Sequence, residues 1–100
     1  MKEKNNDKSA TEFMEIDPGF LLLRTKNDNL NHLEFTHPVA QDYLQFHFCL
    51  KGQMNFKYNE GTYTFPLNEE HSMLLYNPAK PLPIEVELAP NTWLVSVLIS

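Results

Sequence analysis

The amino-acid sequence predicts an all-β domain, a sandwich, jelly roll or small barrel of about eight short strands. Apolar and polar residues alternate in short runs, which is the period of a strand with one buried face. Turn-forming residues separate the runs roughly every 8–12 positions, and no window after residue 17 has a convincing helical period. With 42% hydrophobic and 12% aromatic residues, the chain can build a core without disulfides.

The clearest pattern lies between Tyr43 and Tyr76. Gly52 interrupts the longest alternating run and predicts a tight corner or bulge, and Gly61 predicts a hairpin turn in the left-handed conformation. The predicted strands cover residues 20–25, 30–36, 43–51, 53–58, 62–65, 72–76, 82–88 and 93–99. Alternation alone would bury Phe46 and Phe48 in the third strand, and it places Trp93 and Val95 on one face of the last.

One hundred residues correspond to a single domain, predicted here over residues 18–100. Residues 1–17 are interpreted as a mobile N-terminal arm, although Ser9 to Glu12 resemble a capping box and predict at most one helical turn before Pro18. The alternative is an arm whose Phe13, Met14 and Ile16 pack on the domain. The last strand runs to Ser100 without a stop signal, so we expect the domain to be truncated at its C-terminal end.

Composition excludes several classes of protein. Residues 27–100 hold three basic and eight acidic groups (3 − 8 = −5), too few cations for a surface that contacts DNA. The first eight residues are polar and lack the apolar core that a signal peptide needs, and no apolar run reaches membrane-spanning length, so no membrane partner is expected. The single cysteine, Cys49, fits a reducing, cytoplasmic setting.

Candidate functional residues are sparse. None of the four histidines stands at short ligand spacing from another, so the pattern predicts no metal site. The polar stripe Tyr43, Gln45 and His47 could line the interior of a small barrel or form a solvent-facing edge, and the residues alone leave both open.

Phe46 to Ile99 resembles the N-terminal sensing domain of AraC-family transcription regulators. The resemblance is carried by residues 46–52, 58–61, 71–78 and 93–100. It implies a cupin-like double-stranded β-helix barrel that binds a small-molecule effector and forms a homodimer. It also implies that DNA is contacted only through a helix-turn-helix domain, normally C-terminal, that is missing here.

Alignment on Gly52 extends the resemblance to the site. The glutamate of metal-binding cupins falls on Gln45, its two histidines near Val39 and Gln41, and the late histidine near Leu82. The resemblance therefore implies a sensor without metal or other cofactor and without enzymatic activity.

The same alignment implies the ligand-binding residues. It points Gln45 and His47 into the barrel, where Tyr58 or Tyr76 would supply apolar wall and a hydroxyl group. This conflicts with the alternation that would bury Phe46, unless the outer face of the strand is covered by the arm or by a partner subunit. The alternatives are a small metal-dependent cupin-type enzyme and a protein-interaction barrel without ligand.

We expect the 100-residue chain not to bind duplex DNA at physiological salt, because it lacks the clustered cations that displace counterions. An electrophoretic mobility shift with this chain and mixed-sequence duplexes checks the prediction. A retarded band at micromolar protein would contradict it.

Overall fold

The computed structural model describes residues 9–58 and 60–100, which form nine antiparallel strands in two sheets. The strands are β1 (Ser9–Asp17), β2 (Phe20–Asn27), β3 (Leu33–His37), β4 (Leu44–Lys51), β5 (Gln53–Tyr58), β6 (Tyr63–Asn68), β7 (Ser72–Leu75), β8 (Ile84–Leu88) and β9 (Thr92–Ile99). The predicted all-β fold is confirmed, with one strand more than expected. In the described part of the chain no helix is long and apolar enough to cross a membrane.

The two sheets pack face to face as a jelly-roll sandwich. The five-stranded sheet A has the order β1-β2-β9-β4-β7, and the four-stranded sheet B has the order β3-β8-β5-β6. Alternate side chains of both sheets fill the space between them, with Phe56, Ile84 and Leu88 from sheet B against Leu23 and Leu98 from sheet A. Each of these side chains is at most 1% exposed, so the core lies between the sheets.

The predicted mobile arm is partly a strand. Ser9–Asp17 pairs with β2 along its length, and the ring of Phe13 lies 5.3 Å from that of His37 on sheet B. The sequence pattern did not predict this strand. The side chains of β1 from Ala10 onward are exposed, so the strand lacks the alternation that marks a buried face. The predicted boundary at residue 18 falls in the β1–β2 turn. Residues 1–8 of the predicted arm lie outside the described residues.

The buried faces of β4 and β9 are opposite to those that alternation favours. Gln45 and His47 point into the sandwich, while Phe46 is 41% exposed on the outside. On β9, Leu94 and Ser96 are buried, and Trp93 lies on the outer face. The inward direction implied by the alignment on Gly52 is therefore the one observed. Alternation favoured the opposite direction because the outer face of each of these strands is the more apolar one.

Gly52 joins the two sheets at a corner with no room for a side chain. Its φ is +83°, and a Cβ there would lie 2.2 Å from Oγ1 of Thr92 and 2.7 Å from the carbonyl oxygen of Asn91. The Thr92 hydroxyl fills this space, accepting from the amide of Gln53 and donating to its carbonyl oxygen. A residue without Cβ is therefore required where the chain leaves sheet A.

Asn27 fastens the two sheets at the same end of the sandwich. Its buried side-chain amide donates to the carbonyl oxygens of Leu88 and Ala89, each at 3.1 Å, and to that of Asn31 at 3.0 Å. Its oxygen accepts from the amide of Asn29. These bonds stabilise the approach of β2 to the end of β8, since they join a buried side chain of sheet A to backbone groups at the end of a sheet B strand.

Replacing Gly52 by alanine should lower the free energy of unfolding by at least about 2 kcal/mol, because a left-handed backbone and a clash with Thr92 act together. The control is Gly61→Ala, where φ is +86° but no atom lies within 4 Å of the added Cβ. That variant should lose only about 1 kcal/mol. Urea denaturation of both variants checks the difference, and equal losses would contradict the steric account.

Candidate functional site

Three polar side chains of sheet A form a hydrogen-bonded row inside the sandwich. Gln45 and His47 are neighbours on the inner face of β4, and Ser96 faces His47 from β9. Nε2 of His47 lies 2.9 Å from Oε1 of Gln45, and Nδ1 lies 2.6 Å from the hydroxyl of Ser96. The amide nitrogen of Gln45 donates to the carbonyl oxygen of Leu82. All three side chains are at most 1% exposed.

The partners fix the direction of these bonds. The Leu82 carbonyl only accepts, so the Gln45 amide nitrogen faces it and the amide oxygen faces His47. Nε2 of His47 must then carry the proton, and Nδ1 accepts from the Ser96 hydroxyl. Burial lowers the pKa of His47 from 6.5 to about 4, so the imidazole is neutral at physiological pH. The row is thus uncharged throughout.

Tyr58 adds an unpaired hydroxyl to the same side of the interior. Along the sequence, His47 lies five positions before Gly52 and Phe56 four positions after it, and the centroids of their two rings are 4.6 Å apart. The chain therefore reverses at Gly52, and Tyr58, two positions beyond Phe56, lies on the same face of β5 as Phe56. The Tyr58 hydroxyl is buried and has no hydrogen-bond partner within the described residues. Burial also raises the pKa of Tyr58, which keeps the hydroxyl protonated.

The interior carries no fixed charge in the described part of the chain. Its buried polar side chains are all neutral at physiological pH: Thr25, Asn27, Gln45, His47, Thr92 and Ser96. Like Tyr58, Thr25 has a buried hydroxyl without a partner among these residues. Each unpaired buried hydroxyl costs about 1–3 kcal/mol. The arrangement can therefore offer hydroxyl groups to an uncharged molecule and cannot pair with a charged one.

The structure buries polar atoms of three of the four predicted site residues. Gln45 and His47 are hydrogen-bonded to each other in the interior and the Tyr58 hydroxyl is buried, whereas Tyr76 follows β7 and is 55% exposed on the surface. Sequence reasoning missed Ser96 and Thr25. The position of Ser96 opposite His47 follows only from the register of β4 against β9, although Ser96 is the one hydroxyl residue in the apolar run 93–99.

The row lies next to a loop at one end of the sandwich. The Gln45 amide binds the carbonyl oxygen of Leu82, and the amide of Gln41 binds that of Pro78 at 3.1 Å. Segments 38–43 and 76–83 therefore cover this end. Because these segments contain no ladder hydrogen bonds, displacing them is the least costly way to open the interior.

The residues at this position do not fit a metal ion. Gln45 is a neutral amide, His47 uses both ring nitrogens in hydrogen bonds, and Ser96 is a hydroxyl. Across residues 9–58 and 60–100, no group of three histidine, cysteine, aspartate or glutamate side chains comes together. The donor set of a transition-metal centre is thus not assembled here.

A surface groove of about 250 Å³ lies elsewhere, on the outer face of sheet A. Arg24, Lys26, Leu50 and Trp93 are among its lining residues. Its two cations already have acidic partners, since Arg24 pairs with Glu12 and Lys26 lies 3.8 Å from Asp28. The groove is separate from the buried row.

Structural comparison places the fold among the cupins. An RmlC-like cupin protein from Desulfovibrio desulfuricans superposes with a TM-score of 0.67 at 13% identity, covering 99% of this chain and 96% of that one. The cupin domain of an XRE family transcriptional regulator from Enterobacter cloacae gives 0.66 at 10% identity, with coverages of 92% and 96%. An HTH_3 family transcriptional regulator from Vibrio cholerae gives 0.64 at 10% identity, with coverages of 90% and 51%. No protein-family model and no curated protein matches the sequence.

The prediction that the chain is not an enzyme is wrong, because structural neighbours with the same fold include enzymes. The neighbours include the enzymes KdgF from Halomonas sp., at 11% identity and a TM-score of 0.62, and FeII HppE, at 16% and 0.66. KdgF is covered to 77% and FeII HppE to 54%, with 91% and 98% of this chain aligned. A cupin fold is thus compatible with both regulators and enzymes, and enzyme status stays open.

The burial of neutral His47 should make the protein less stable in acid. Between pH 6.5 and about 4 the unfolded chain binds a proton at His47 that the folded chain does not, so stability falls as the pH falls. From about pH 7 to about pH 4.5 this single group should remove about 2–3 kcal/mol. The variant His47→Gln should lack that part of the pH dependence in urea denaturation.

The exposed His71 provides the control for loss of an imidazole. The variant His71→Gln should keep the part of the pH dependence that His47→Gln loses. Identical pH profiles for wild type and His47→Gln would show that His47 is not buried in its neutral form.

Proposed function

We propose that this chain is the effector-sensing domain of a bacterial, AraC-type transcription regulator, and that it binds a small uncharged or weakly acidic organic molecule between its sheets. The observation that carries the proposal is the buried Tyr58 hydroxyl, which has no hydrogen-bond partner among the described residues, in an interior that also holds the neutral Gln45–His47–Ser96 row. A buried hydroxyl without a partner destabilises the free protein, and a bound ligand with one polar group would relieve that cost.

The chemistry of the row defines the ligand class. Tyr58 and Thr25 can each donate and accept one further hydrogen bond, whereas Gln45 and His47 already hold theirs. An ionised ligand would be buried without a counter-charge, which is far more costly than burying a neutral one. The aromatic ring of Phe56 and the surrounding aliphatic side chains would supply most of the affinity through buried apolar surface.

The regulatory role is supported by two kinds of likeness. Cupin domains of XRE and HTH_3 regulators share the fold, and the AraC assignment itself depends on the sequence resemblance of residues 46–99. In this proposal DNA is contacted by a helix-turn-helix domain outside the present chain. Ligand binding would shift the segments 38–43 and 76–83 that cover the site, and this difference between states is what a DNA-binding domain could respond to.

The two alternative functions, a metal-dependent enzyme and an interaction barrel, lead to different expected results. A metal-dependent cupin-type enzyme requires a ligand set that the interior does not offer, so added zinc or iron should not raise the melting temperature. A protein-interaction barrel without ligand should respond to no small molecule at all.

Tyr58→Phe is the variant that tests the site most directly. In the absence of ligand it should raise the free energy of unfolding by about 1 kcal/mol, because it removes an unpaired buried hydroxyl. The same variant should abolish most of the stabilisation by any ligand that a thermal-shift screen of neutral and weakly acidic organic compounds identifies. For wild type, ligand at 100 times its dissociation constant should contribute about 2.7 kcal/mol.

The matched control is Tyr63→Phe, since Tyr63 pairs with Tyr58 across β5 and β6 but is 57% exposed. It should change neither stability nor ligand response. A ligand that stabilises Tyr58→Phe and wild type equally would place the binding site elsewhere. A screen without any stabilising compound would favour the interaction barrel.

A further inference from the structure

The groove on the outer face of sheet A combines an apolar wall with an ion pair. The ion pair joins Arg24 on β2 to Glu12 on β1. Apolar side chains form the wall: Ala10, Leu50, Trp93 and Val95. The volume of about 250 Å³ lies below the range of about 300–1,000 Å³ that is typical of pockets for drug-sized ligands. The groove therefore suits a smaller molecule that has an apolar part and charged groups close together.

Trp93 forms an oriented aromatic wall of this groove. Its indole nitrogen donates to Oδ1 of Asp28 at 3.2 Å. The ammonium groups of Lys26 and Lys51 lie 5.0 Å and 5.5 Å from the ring centroid. Because these contacts orient the ring before anything binds, a ligand would lose little affinity by ordering it. The residue is still 36% exposed, so part of the ring is free to contact a ligand.

The charges that line the groove already have partners, and this decides the charge of the ligand. Lys26 lies beside Asp28, with 3.8 Å between Nζ and Oδ2. Lys51 adds a cation near the ring of Trp93 but does not line the groove. The other two lining charges, Arg24 and Glu12, neutralise each other. A simple anion or cation would take one member of this pair from the other, whereas a zwitterion offers a partner to both.

The geometry of the ion pair fits the two charges of an α-amino acid. Arg24 and Glu12 are direct cross-strand partners of β2 and β1, so their charged groups lie side by side. An α-amino acid carries its ammonium and its carboxylate on one carbon, and a neighbouring acid and base can bind both at once. Both protein side chains are exposed, 59% for Arg24 and 61% for Glu12, and an exposed pair contributes little to stability, so it can open for a ligand.

We propose that this groove binds a free α-amino acid with an apolar side chain, such as leucine. The guanidinium of Arg24 donates two parallel hydrogen bonds to the carboxylate, and the carboxylate of Glu12 accepts from the ammonium. The ligand side chain lies against Trp93, Leu50 and Val95. The site is separate from the buried row between the sheets, so its failure would leave the sensing proposal intact.

The fluorescence of Trp93 tests the proposal, because this is the only tryptophan of the chain. Leucine should cause a saturable change with half-saturation at about 1 mM. Leucinamide lacks the carboxylate, 4-methylpentanoate lacks the ammonium and glycine lacks the apolar side chain, so each should bind at least about 10-fold more weakly. The indole N–H signal in a two-dimensional NMR spectrum gives a second readout of the same titration.

Two variants assign the charged contacts. Arg24→Gln and Glu12→Gln should each bind leucine at least about 10-fold more weakly than wild type. Arg24→Gln should bind leucinamide at least as tightly as leucine, because the carboxylate of Glu12 remains for the ammonium. Glu12→Gln should bind 4-methylpentanoate at least as tightly as leucine for the converse reason. The control is Lys57→Gln, which removes a cation paired with Glu34 and Glu87 on the outer face of sheet B and should bind leucine like wild type.

Circular dichroism confirms that each variant is folded before the titrations are compared. The absence of a saturable change up to about 20 mM leucine would overturn the inference. Equal binding of leucine and its two singly charged analogues would also overturn it, since the ligand would then not be recognised as a zwitterion. Unchanged leucine binding by Arg24→Gln or by Glu12→Gln would have the same consequence.

Discussion

The close approach of Gly52 to Thr92 is the constraint on which the rest of the structure depends. The chain leaves sheet A at this glycine and returns along sheet B within one residue, which is sterically feasible only without a Cβ. That reversal sets Phe56 against His47 and leaves Tyr58 on the same face of β5 as Phe56. A corner one residue longer would shift β5 by one position and turn the aromatic side chains of that strand to the opposite face.

The buried polar side chains of the interior lower the stability of the domain relative to apolar ones. Six residues on the inner face of sheet A are polar and buried, in a layer where apolar side chains would pack at least as well: Thr25, Asn27, Gln45, His47, Thr92 and Ser96. All but Thr25 have hydrogen-bond partners among the described residues, and Gln45 and Ser96 hold the neutral imidazole of His47 in one orientation. A sandwich selected only for stability would not need this row, which is why we attach the function to it.

The sequence predicted the all-β class, the Gly52 corner and the inward direction of Gln45 and His47, the last through alignment on Gly52. Alternation by itself failed on β4 and β9, because it identifies the more apolar face and on sheet A that face is the outer one. Strand β1 escaped prediction since an exposed edge strand needs no period. Ser96 and Thr25 could not be placed in advance, because a residue's cross-strand partner depends on register and not on local pattern.

Cys49 gives the corner a property of its own. The Cys49 side chain is fully buried three residues before Gly52, its sulfur lies 3.4 Å from the carbonyl oxygens of Lys51 and Gly52, and burial raises the pKa of the thiol. A thiol reagent can therefore reach it only while the corner is open. Since the chain has no other cysteine, the rate at which a thiol reagent labels Cys49 measures how often the segment that joins the two sheets opens.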